Sequence, residues 1–337
     1  MPTDGALGAE ILLPQRRVVV VAGLDEIVAF DRRLDDLARD CECPVTARWP
    51  WISGSIDEES DTSALLVEDD RGDLVAAAVL TTGSDGVTRL ASGGDGHRAA
   101  VPAADDDAAA RLADALWTEM GSRRGFEFGP LPGASAATAA VLESAPTATL
   151  VQESKVPVVR RQDVATATHY LTRNMRRTLR RARNHLVCDR IDGVVRRSGD
   201  AERIERALPH LAALGRERDH AAGRTGIFDD SSAAERWRRR TVGLARLGLA
   251  EMSALVVDGT PAAVNVAFVD PPYYRVLEGR IDTRFTRYAP GRLLEAALLD
   301  AMHQDPRFEF LDWMTSLAPE QLLAFNDYEA TVTLVGC

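Results

Sequence analysis

The sequence predicts two α/β units in tandem, each built on a mixed β-sheet flanked by helices. The first observation is length, because 337 residues exceed one typical hydrophobic core and suit two. The second is that hairpin patterns and helical crossover segments alternate in both halves, which is typical of mixed sheets. The third is that both halves repeat the same order of elements, although no repeat of residues is visible. We therefore predict one unit over residues 1–155 and another over residues 156–337.

In the first half, a loose start to residue 15 precedes a strand, because residues 17–22 are mostly β-branched. The turn DDRG at residues 69–72 joins two apolar segments and predicts a hairpin. Three aspartates at residues 105–107 favour a helix start, where carboxylates face the positive end of the helix dipole. Residues 41–60 show no regular pattern. The predicted strands cover residues 17–22, 62–68, 73–81, 86–92, 125–128 and 149–159, and the predicted helices cover residues 24–39, 105–121 and 135–143.

In the second half, the turn Asp258-Gly259-Thr260 predicts another hairpin between two apolar segments. Apolar residues at three- and four-residue spacing predict helices on both sides of it. The predicted helices cover residues 166–186, 200–218, 232–247, 290–303 and 319–325. The predicted strands cover residues 193–197, 251–257, 261–268, 273–281, 308–313 and 329–335.

Composition excludes several classes of protein. Hydrophobic residues make up 45% of the chain and charged residues 27%, which is ordinary for a globular protein. The longest apolar run near the start, residues 18–22, is far shorter than the ~20 residues of a membrane span. No pattern typical of a secretory signal is present, so we expect a cytoplasmic protein without a membrane partner. Cys41-x-Cys43 is too tightly spaced for zinc and no second pair follows, so we expect no metal.

One segment has the pattern of an anion site. A strand over residues 273–282 is followed by a loop and then by a helix that opens with Pro290 and Gly291. Proline suits the first turn of a helix, and the free N–H groups beside it, together with the helix dipole, attract anions. Glycine lets a phosphate approach the backbone closely. The alternative is an ordinary capped helix. The positive charge here comes from Arg284, Arg287 and Arg292.

Residues 171–312 resemble the CelD-like branch of the GNAT acyltransferase superfamily, which is related to FemX-type peptidyltransferases. Two stretches that carry the resemblance are LTRNMRRTLRRAR at residues 171–183 and LAALGRER at 211–218, the latter followed by GRTGIF. The hairpin at residues 254–268 is the third. The strand that leads to Pro290-Gly291, closed by Phe310-Leu-Asp312, is the fourth. The first half resembles GNAT proteins only in its order of elements.

The resemblance implies two tandem GNAT-like domains, each a mixed, mainly antiparallel sheet flanked by helices, with an acyl-CoA site in the second. Acyl-CoA would lie in a V-shaped opening between the strands at residues 273–281 and 308–313. The usual loop motif, Gln/Arg-x-x-Gly-x-Gly/Ala, is replaced here by Thr286-x-x-Ala289-x-Gly291. The residues expected to bind the donor are Arg284, Arg287, Tyr288, Pro290, Gly291, Arg292 and Leu293.

Four residues are candidates for acid–base chemistry, because acyl transfer to nitrogen needs a deprotonated amine beside a thioester. Glu278 is the first candidate for the base, since desolvation among apolar neighbours would raise its pKa, although a salt bridge to Arg280 is equally consistent. His220 and Asp312 are further candidates; a surface or cap role is the alternative for His220, and a cap for Asp312. Tyr328 is a candidate to protonate the leaving thiolate, with packing as its alternative.

A basic helix precedes these residues. Five arginines share one face of it, and an apolar stripe lies on the other. One interpretation is a docked amphipathic helix with solvated arginines. The other interpretations give Arg176 and Arg180 a role in binding an acidic substrate, the 3′-phosphate of CoA or tRNA. Residues 1–150 carry 12 Arg against 26 Asp and Glu, whereas residues 151–337 carry 28 Arg and Lys against 25, so a general affinity for polyanions is disfavoured.

The sequence thus predicts an acyl-CoA-dependent N-acyltransferase in which the amine attacks the donor directly within the cleft. Its acceptor is an amine on a small molecule, a peptide or a sugar. A FemX-like ligase that uses aminoacyl-tRNA is the second hypothesis, and a non-catalytic binding protein that keeps the fold is the third. The sequence leaves open whether the chain forms a homodimer.

Overall fold

The computed structural model describes residues 16–57, 60–314 and 321–336. The strands are β1 (Arg17–Ala22), β2 (Asp61–Glu68), β3 (Leu74–Thr82), β4 (Val87–Leu90), β5 (Gly125–Pro132), β6 (Leu150–Arg160), β7 (Gly193–Ser198), β8 (Ala250–Val257), β9 (Thr260–Asp270), β10 (Tyr273–Ile281), β11 (Phe310–Asp312) and β12 (Asp327–Gly336). The helices are α1 (Leu24–Val28), α2 (Asp31–Asp40), α3 (Trp49–Ser55), α4 (Asp106–Met120), α5 (Ala136–Glu143), α6 (Arg173–Asp189), α7 (Ala201–Ala221), α8 (Ser231–Arg246) and α9 (Pro290–Gln304). No helix among these residues is long and apolar enough to cross a membrane.

All of these strands belong to one sheet, in the order β1-β2-β3-β4-β5-β12-β6-β11-β10-β9-β8-β7. Neighbouring strands are antiparallel except at two places, β4 beside β5 and β10 beside β11. The predicted fold class is confirmed: a mixed, mainly antiparallel sheet flanked by helices, in which the second half repeats the first. Each half contributes four antiparallel strands and a fifth that lies parallel to the fourth.

The two halves exchange their last strands. β12, from the end of the chain, pairs with β5 of the first half, while β6 pairs with β11 of the second half. β6 and β12 also pair with each other at the centre of the sheet, from Leu150 opposite Val335 to Val158 opposite Asp327. The boundary predicted between residues 155 and 156 falls inside β6. The backbone ladder is therefore continuous from one half to the other.

Alternation along the strands gives each face of the sheet its own core. In β9, Ala263 and Ala267 face α6 and α9, whereas Val264, Val266 and Phe268 face α7 and α8. The first half repeats this pattern, with α4 and α5 on one face and α1, α2 and α3 on the other. Helices therefore pack on both faces of the sheet, whereas most of the edge strands β1 and β7 and residues 150–155 of β6 stay exposed.

Several predicted segments differ from the structure. The helix predicted over residues 24–39 is divided into α1 and α2, and the helix predicted over residues 166–186 begins at Arg173, after a 3-10 turn at Ala167–Tyr170. Residues 49–55, predicted to be irregular, form α3, which has Pro50 in its first turn and buries Trp51 against α8. Tertiary packing stabilises such a short helix where local propensity does not. The helix predicted at residues 319–325 begins outside the described residues, and residues 322–325 are not helical. The loose start predicted for residues 1–15 lies outside the described residues as well.

The sheet opens between β10 and β11. These parallel strands pair only from Tyr273 opposite Phe310 to Arg275 opposite Asp312. β11 then ends, while β10 continues for six more residues to Ile281. Within the described residues, that part of β10 has a sheet partner on only one side, β9. The opening and the helix that connects the two strands, α9, position the site described next.

Candidate active site

A cleft of ≈ 940 Å³ lies where β10 and β11 separate. Its walls are the outer half of β10, the start of α9, the end of α7 and the loop that follows α7. The lining residues include His97, Arg218, Asp219, residues 224–227, Trp237, residues 263–265 and 276–281, Thr286, residues 289–292, Leu294, Glu295, Trp313 and Met314. A concave site of this size, lined by apolar side chains together with many charged and polar ones, is a candidate ligand site.

A β-bulge shapes the wall formed by β10. The register with β9 shifts between Val276 and Glu278, so Leu277 is an extra residue opposite Ala267 and Val266. A bulge leaves the extra residue outside the ladder and turns the neighbouring side chains. Leu277 and Glu278 both line the cleft. The bulge therefore presents free backbone and a carboxylate to the same space.

Glu278 combines the two alternatives that the sequence allowed. Its carboxylate pairs with Arg280, and its Oε1 accepts a hydrogen bond of 3.0 Å from the N–H of Gly279. Burial nevertheless raises the pKa of Glu278, because the loss of water outweighs the Arg280 charge and the Gly279 hydrogen bond. A carboxylate with a raised pKa is a stronger base, which suits proton transfer from an amine.

The cleft holds two more carboxylates that the sequence did not single out. Glu295 lies one turn after Gly291, and burial raises its pKa although its Oε2 accepts from Nη1 of Arg292 at 2.7 Å. Asp219 is buried at the end of α7, and its Oδ1 accepts from Nη2 of Arg224 at 2.9 Å. The three-residue step from Arg292 to Glu295 was visible in the sequence. The approach of α7 to β10 was not.

The start of α9 forms the opposite wall. Ala289, at the N-cap, has a left-handed backbone with φ of 45°, and no side chain caps the helix. Because Pro290 has no N–H, the first free donors of the helix belong to Gly291 and Arg292, which line the cleft. A Cβ on Gly291 would lie 3.0 Å from Cγ2 of Ile281, so glycine also lets α9 pack closely against β10.

The arginines expected to surround this helix start have other partners. Arg292 lines the cleft, but its Nη2 donates to the carbonyl oxygen of Gln321 at 2.6 Å. Arg284 is 73% exposed and pairs with Asp282. Arg287 pairs with Asp189 at the end of α6 (Nη2 to Oδ1, 3.2 Å).

Two other residues expected to bind the donor also lie outside the cleft. The hydroxyl of Tyr288 donates to Asp189 at 2.9 Å, and Leu293 is buried in the core. The 3-10 turn Thr283–Tyr288 directs Arg287 and Tyr288 towards α6, and Arg284 folds back on Asp282, which caps that turn. Of the residues expected to bind the donor, the structure brings Pro290, Gly291 and Arg292 to the cleft. It places Arg284, Arg287, Tyr288 and Leu293 elsewhere.

The remaining acid–base candidates lie outside the cleft lining. His220 is 63% exposed, and its Nε2 lies 2.8 Å from Oδ1 of Asp229. Asp312 is fully buried between Arg275 (Nη1 to Oδ2, 2.8 Å) and Arg98 (Nη2 to Oδ2, 3.2 Å). These contacts hold Asp312 as a charge partner at the end of β11. Asp312 is not accessible from the cleft.

Tyr328 lies on β12, which is separated from β10 by β6 and β11. It is half-exposed, and its ring packs edge-to-face against Phe325 with centroids 5.7 Å apart. Strands are spaced ~4.8 Å apart, so three steps place Tyr328 roughly 14 Å from β10. Its position therefore favours the packing interpretation over a proton donor to a thiolate.

The first half of the chain contributes His97 to the cleft. Its ring packs edge-to-face on Trp51 of α3, with centroids 5.2 Å apart. Neighbouring Arg98 pairs with Asp312 and with Glu329 of β12. Sequence reasoning missed His97, because only the three-dimensional fold brings residue 97 beside β10.

The equivalent parallel strands of the first half, β4 and β5, are connected by a helix with a different start. α4 connects these strands as α9 connects β10 and β11. Its N-cap Asp105 accepts from the N–H of Ala108 at 2.9 Å and pairs with Arg16, which lowers the pKa of Asp105 to about 2. The Asp105 side chain thus already caps this helix start, and Asp106 and Asp107 beside it add negative charge. This helix start would repel a phosphate.

The arginines of α6 border a separate cavity. Arg176 and Arg180 line a space of ≈ 330 Å³ between α6 and α9. The face of α9 that lines it carries Ala296, Leu299 and Asp300, next to the face that lines the large cleft. Arg176 and Arg180 therefore lie apart from the start of α9.

Comparison with known proteins agrees with this geometry. Residues 173–321, a little under half of the chain, match the family model described as acetyltransferase (GNAT) domain. The second half carries a GNAT domain. The match runs from the start of α6 through the bulged β10 and α9, so the large cleft is the cleft of that domain. No curated protein matches the chain.

Solved structures resemble the chain over most of its length. A conserved protein of unknown function from Bacteroides thetaiotaomicron VPI-5482 has a TM-score of 0.61 at 12% identity, covering 94% of this chain and 100% of its own. FemX has a TM-score of 0.56 at 10% identity, with 84% and 86% covered. L-PGS from Bacillus licheniformis has a TM-score of 0.52 at 9% identity, with 90% of each chain covered. At these identities the likeness shows that the fold is shared. The shared fold covers both halves of this chain.

Proposed function

We propose that this chain is an N-acyltransferase that takes its acyl group from acyl-CoA within the cleft of the second half. One observation carries the proposal: the cleft joins an uncapped helix start on one wall to a buried carboxylate of raised pKa on the other. The first feature suits an anionic donor and the second suits an amine acceptor. The match to a GNAT domain over these same residues supports the assignment.

Acyl-CoA fits the geometry in two places. Its pyrophosphate would accept hydrogen bonds from the N–H groups of Gly291 and Arg292 at the positive end of α9. Its pantetheine arm would lie along β10 beyond Arg275, where β11 has ended. Arg292 keeps a partner in Glu295, and Arg284 and Arg287 are paired elsewhere, so backbone donors carry more of the phosphate recognition than side chains do.

The chemistry follows from the bulge. The amine acceptor arrives as an ammonium ion and gives a proton to Glu278. Its nitrogen then attacks the thioester carbonyl, so that the C–N bond forms and the C–S bond breaks. Backbone N–H groups at the bulge stabilise the oxyanion, and the CoA thiolate leaves and takes up the second proton that the attacking nitrogen loses. Holding both reactants in one cleft supplies much of the acceleration.

The acceptor end of the cleft lies towards α7 and the first half. Asp219 and His97 line this region, and either can hold a cationic or hydrogen-bonding acceptor. An amine on a small molecule, a peptide or a sugar satisfies this chemistry. We place the reaction in the cytoplasm, where acyl-CoA is made and used.

Substitution of the base tests the mechanism. Glu278→Gln keeps the size of the side chain but removes its basicity, and general base catalysis is worth about 10²–10⁴-fold. We expect kcat to fall by that amount, with little change in CoA affinity and with loss of the acidic limb of the pH–rate profile. Glu295→Gln is the matched control, since it removes a second buried carboxylate from the same cleft. If Glu295→Gln loses kcat and Glu278→Gln does not, the base has been assigned to the wrong residue.

Two binding measurements separate the competing functions. We expect CoA to raise the melting temperature of the chain and aminoacyl-tRNA to cause no retardation in a native gel. Retardation by aminoacyl-tRNA without stabilisation by CoA would support a FemX-like ligase instead. The absence of both effects would support a non-catalytic binding protein.

A further inference from the structure

The second cavity has the composition of a binding site in its own right. It occupies ≈ 330 Å³ between α6 and α9, and its floor is apolar. Five aliphatic side chains form that floor, and all five are buried. They are Ala167, Leu171, Leu179, Ala296 and Leu299. Three arginines, Arg176, Arg180 and Arg183, stand at successive turns of α6 and line the same cavity.

The charge at this cavity is positive and largely uncompensated. Arg176 and Arg180 are exposed, and neither guanidinium group forms a hydrogen bond or ion pair with any residue that the structure describes. Most other arginines that line a cavity or pack on α9 are paired, such as Arg292 with Glu295. The one acid in the lining, Asp300, is half-buried and feels the charge of Arg183 and of nearby His303. Three arginines against one carboxylate leave an excess of two positive charges.

We propose that this cavity binds an amphipathic anion, with its apolar tail on the aliphatic floor and its carboxylate or phosphate head on the arginines of α6. At ~30 Å³ for each water-sized group, the cavity holds about ten non-hydrogen atoms. A straight chain of about eight carbons with an acidic head matches that size. Arginine forks bind both head groups well, and Thr168 and Asn184 offer further hydrogen bonds. A neutral ligand of the same shape would leave the arginines without a partner.

The site is distinct from the acyl-transfer cleft and does not depend on the proposed function. On α9, Gly291 and Glu295 line the large cleft, whereas Ala296, Leu299 and Asp300 line this cavity. The helix therefore forms a shared wall with a different ligand on each side. An anion bound here and an acyl donor bound at the start of α9 would occupy the protein together.

Calorimetric titration of the full chain with octanoate tests the proposal. We expect saturable binding of one octanoate and weaker binding of butanoate, because the shorter chain covers less of the floor. Arg176→Ala combined with Arg180→Ala should weaken octanoate binding by roughly tenfold or more, since each lost contact is a charge-assisted hydrogen bond. Arg177→Ala is the matched control: it lies on the same helix and is exposed but does not line the cavity. It should change the affinity by less than about twofold.

Two further titrations make the result decisive. Octyl phosphate in place of octanoate shows which head group the arginines prefer, and binding of either supports the site. Octan-1-ol should bind much more weakly than both. Equal affinity for octan-1-ol, or an unchanged affinity in the double arginine variant, would overturn the proposal, as would the absence of binding by both anions. Competition between octanoate and CoA would also overturn it, because the ligand would then occupy the large cleft.

Discussion

At the scale of single residues, the titration of Glu278 has a consequence for stability. Its pKa in the folded protein is raised by burial above the ordinary value of 4.5, so the folded state binds the proton more tightly than the unfolded state does. That contribution to stability is fully present below pH ~4.5 and is lost as the pH rises through the folded pKa. Glu278→Gln lacks this titration.

We therefore expect the native chain to lose stability relative to Glu278→Gln as the pH is raised from 4 to 8. Urea unfolding of both proteins at several pH values measures the difference in the free energy of unfolding. Glu143→Gln, at an exposed position, is the control for replacing a carboxylate far from the cleft. If the free energy of unfolding of the native chain stays constant or rises relative to that of Glu278→Gln as the pH is raised, Glu278 is not desolvated.

Sequence reasoning found site residues where local pattern decides their surroundings. Glu278 stands in an apolar strand just before the loop, so both its burial and its place at the opening follow from the strand pattern. Gly291 follows from the chemistry of a helix start. Asp219 and His97 could not be found in this way, because distant segments bring them to β10. Asp312 occupies the strand end where it was expected, but its role as a charge partner depends on Arg98, which lies 214 positions earlier in the chain.

At the scale of elements, the start of α9 carries backbone strain. Ala289 adopts φ of 45° and ψ of 53°, a left-handed conformation that costs a residue with a Cβ ~1–2 kcal/mol. The motif of the resembling family has glycine at this position, and glycine adopts this conformation without that cost. We expect Ala289→Gly to raise the free energy of unfolding by about 1 kcal/mol, measured by urea denaturation. Ala301→Gly, inside the same helix, should instead lower it by about the same amount.

A result in the other direction would contradict this assignment. If Ala289→Gly destabilised the protein as much as Ala301→Gly does, Ala289 would be an ordinary helical residue. The measurement also bears on function, because the same residue sets the direction of the free N–H groups of Gly291 and Arg292.

Elements were predictable from sequence where hydrophobic period and turn chemistry agree. The hairpin around Asp258 and Gly259 and the helix from Pro290 are of this kind, and both occur as expected. α3 was missed because its residues are poor helix formers, and contact with α8 stabilises it. The bulge at Leu277 has no signal in a single sequence. The extra residue leaves the hydrophobic pattern of β10 without a visible break, yet it turns Glu278 into the cleft.

At the scale of the whole molecule, a buried ion network ties the halves together. Asp312 of β11 pairs with Arg275 of β10 and with Arg98 of the first half, while Arg98 also pairs with Glu329 of β12. Removing one partner leaves buried charges uncompensated, which typically costs 3–5 kcal/mol. The exchange of β6 and β12 was not predictable from the sequence, because each strand pattern is compatible with pairing inside its own half.

We expect Asp312→Asn to lower the free energy of unfolding by about 3–5 kcal/mol, without a change in the kcat of the folded fraction. Because β6 and β12 join the halves, the loss should appear as one cooperative urea transition. Asp327→Asn is the control, since its exposed pair with Arg160 spans 3.9 Å and is worth little, about 0–1 kcal/mol. A large loss of kcat with near-normal stability would return Asp312 to the list of catalytic candidates. Two separate transitions would show that the halves unfold independently.

The central claim is that one acyl-CoA binds at the start of α9 and none at the start of α4. Calorimetric titration of the full chain with CoA tests it most directly. We expect one site per chain and an affinity at least about tenfold weaker in Gly291→Glu, or roughly 1.4 kcal/mol, because the new carboxylate would face the pyrophosphate. Gly291→Ala is the control for crowding, since its Cβ would already lie 3.0 Å from Ile281, and it should lose less. Two equivalent sites, no binding at all, or unchanged affinity in Gly291→Glu would contradict the claim.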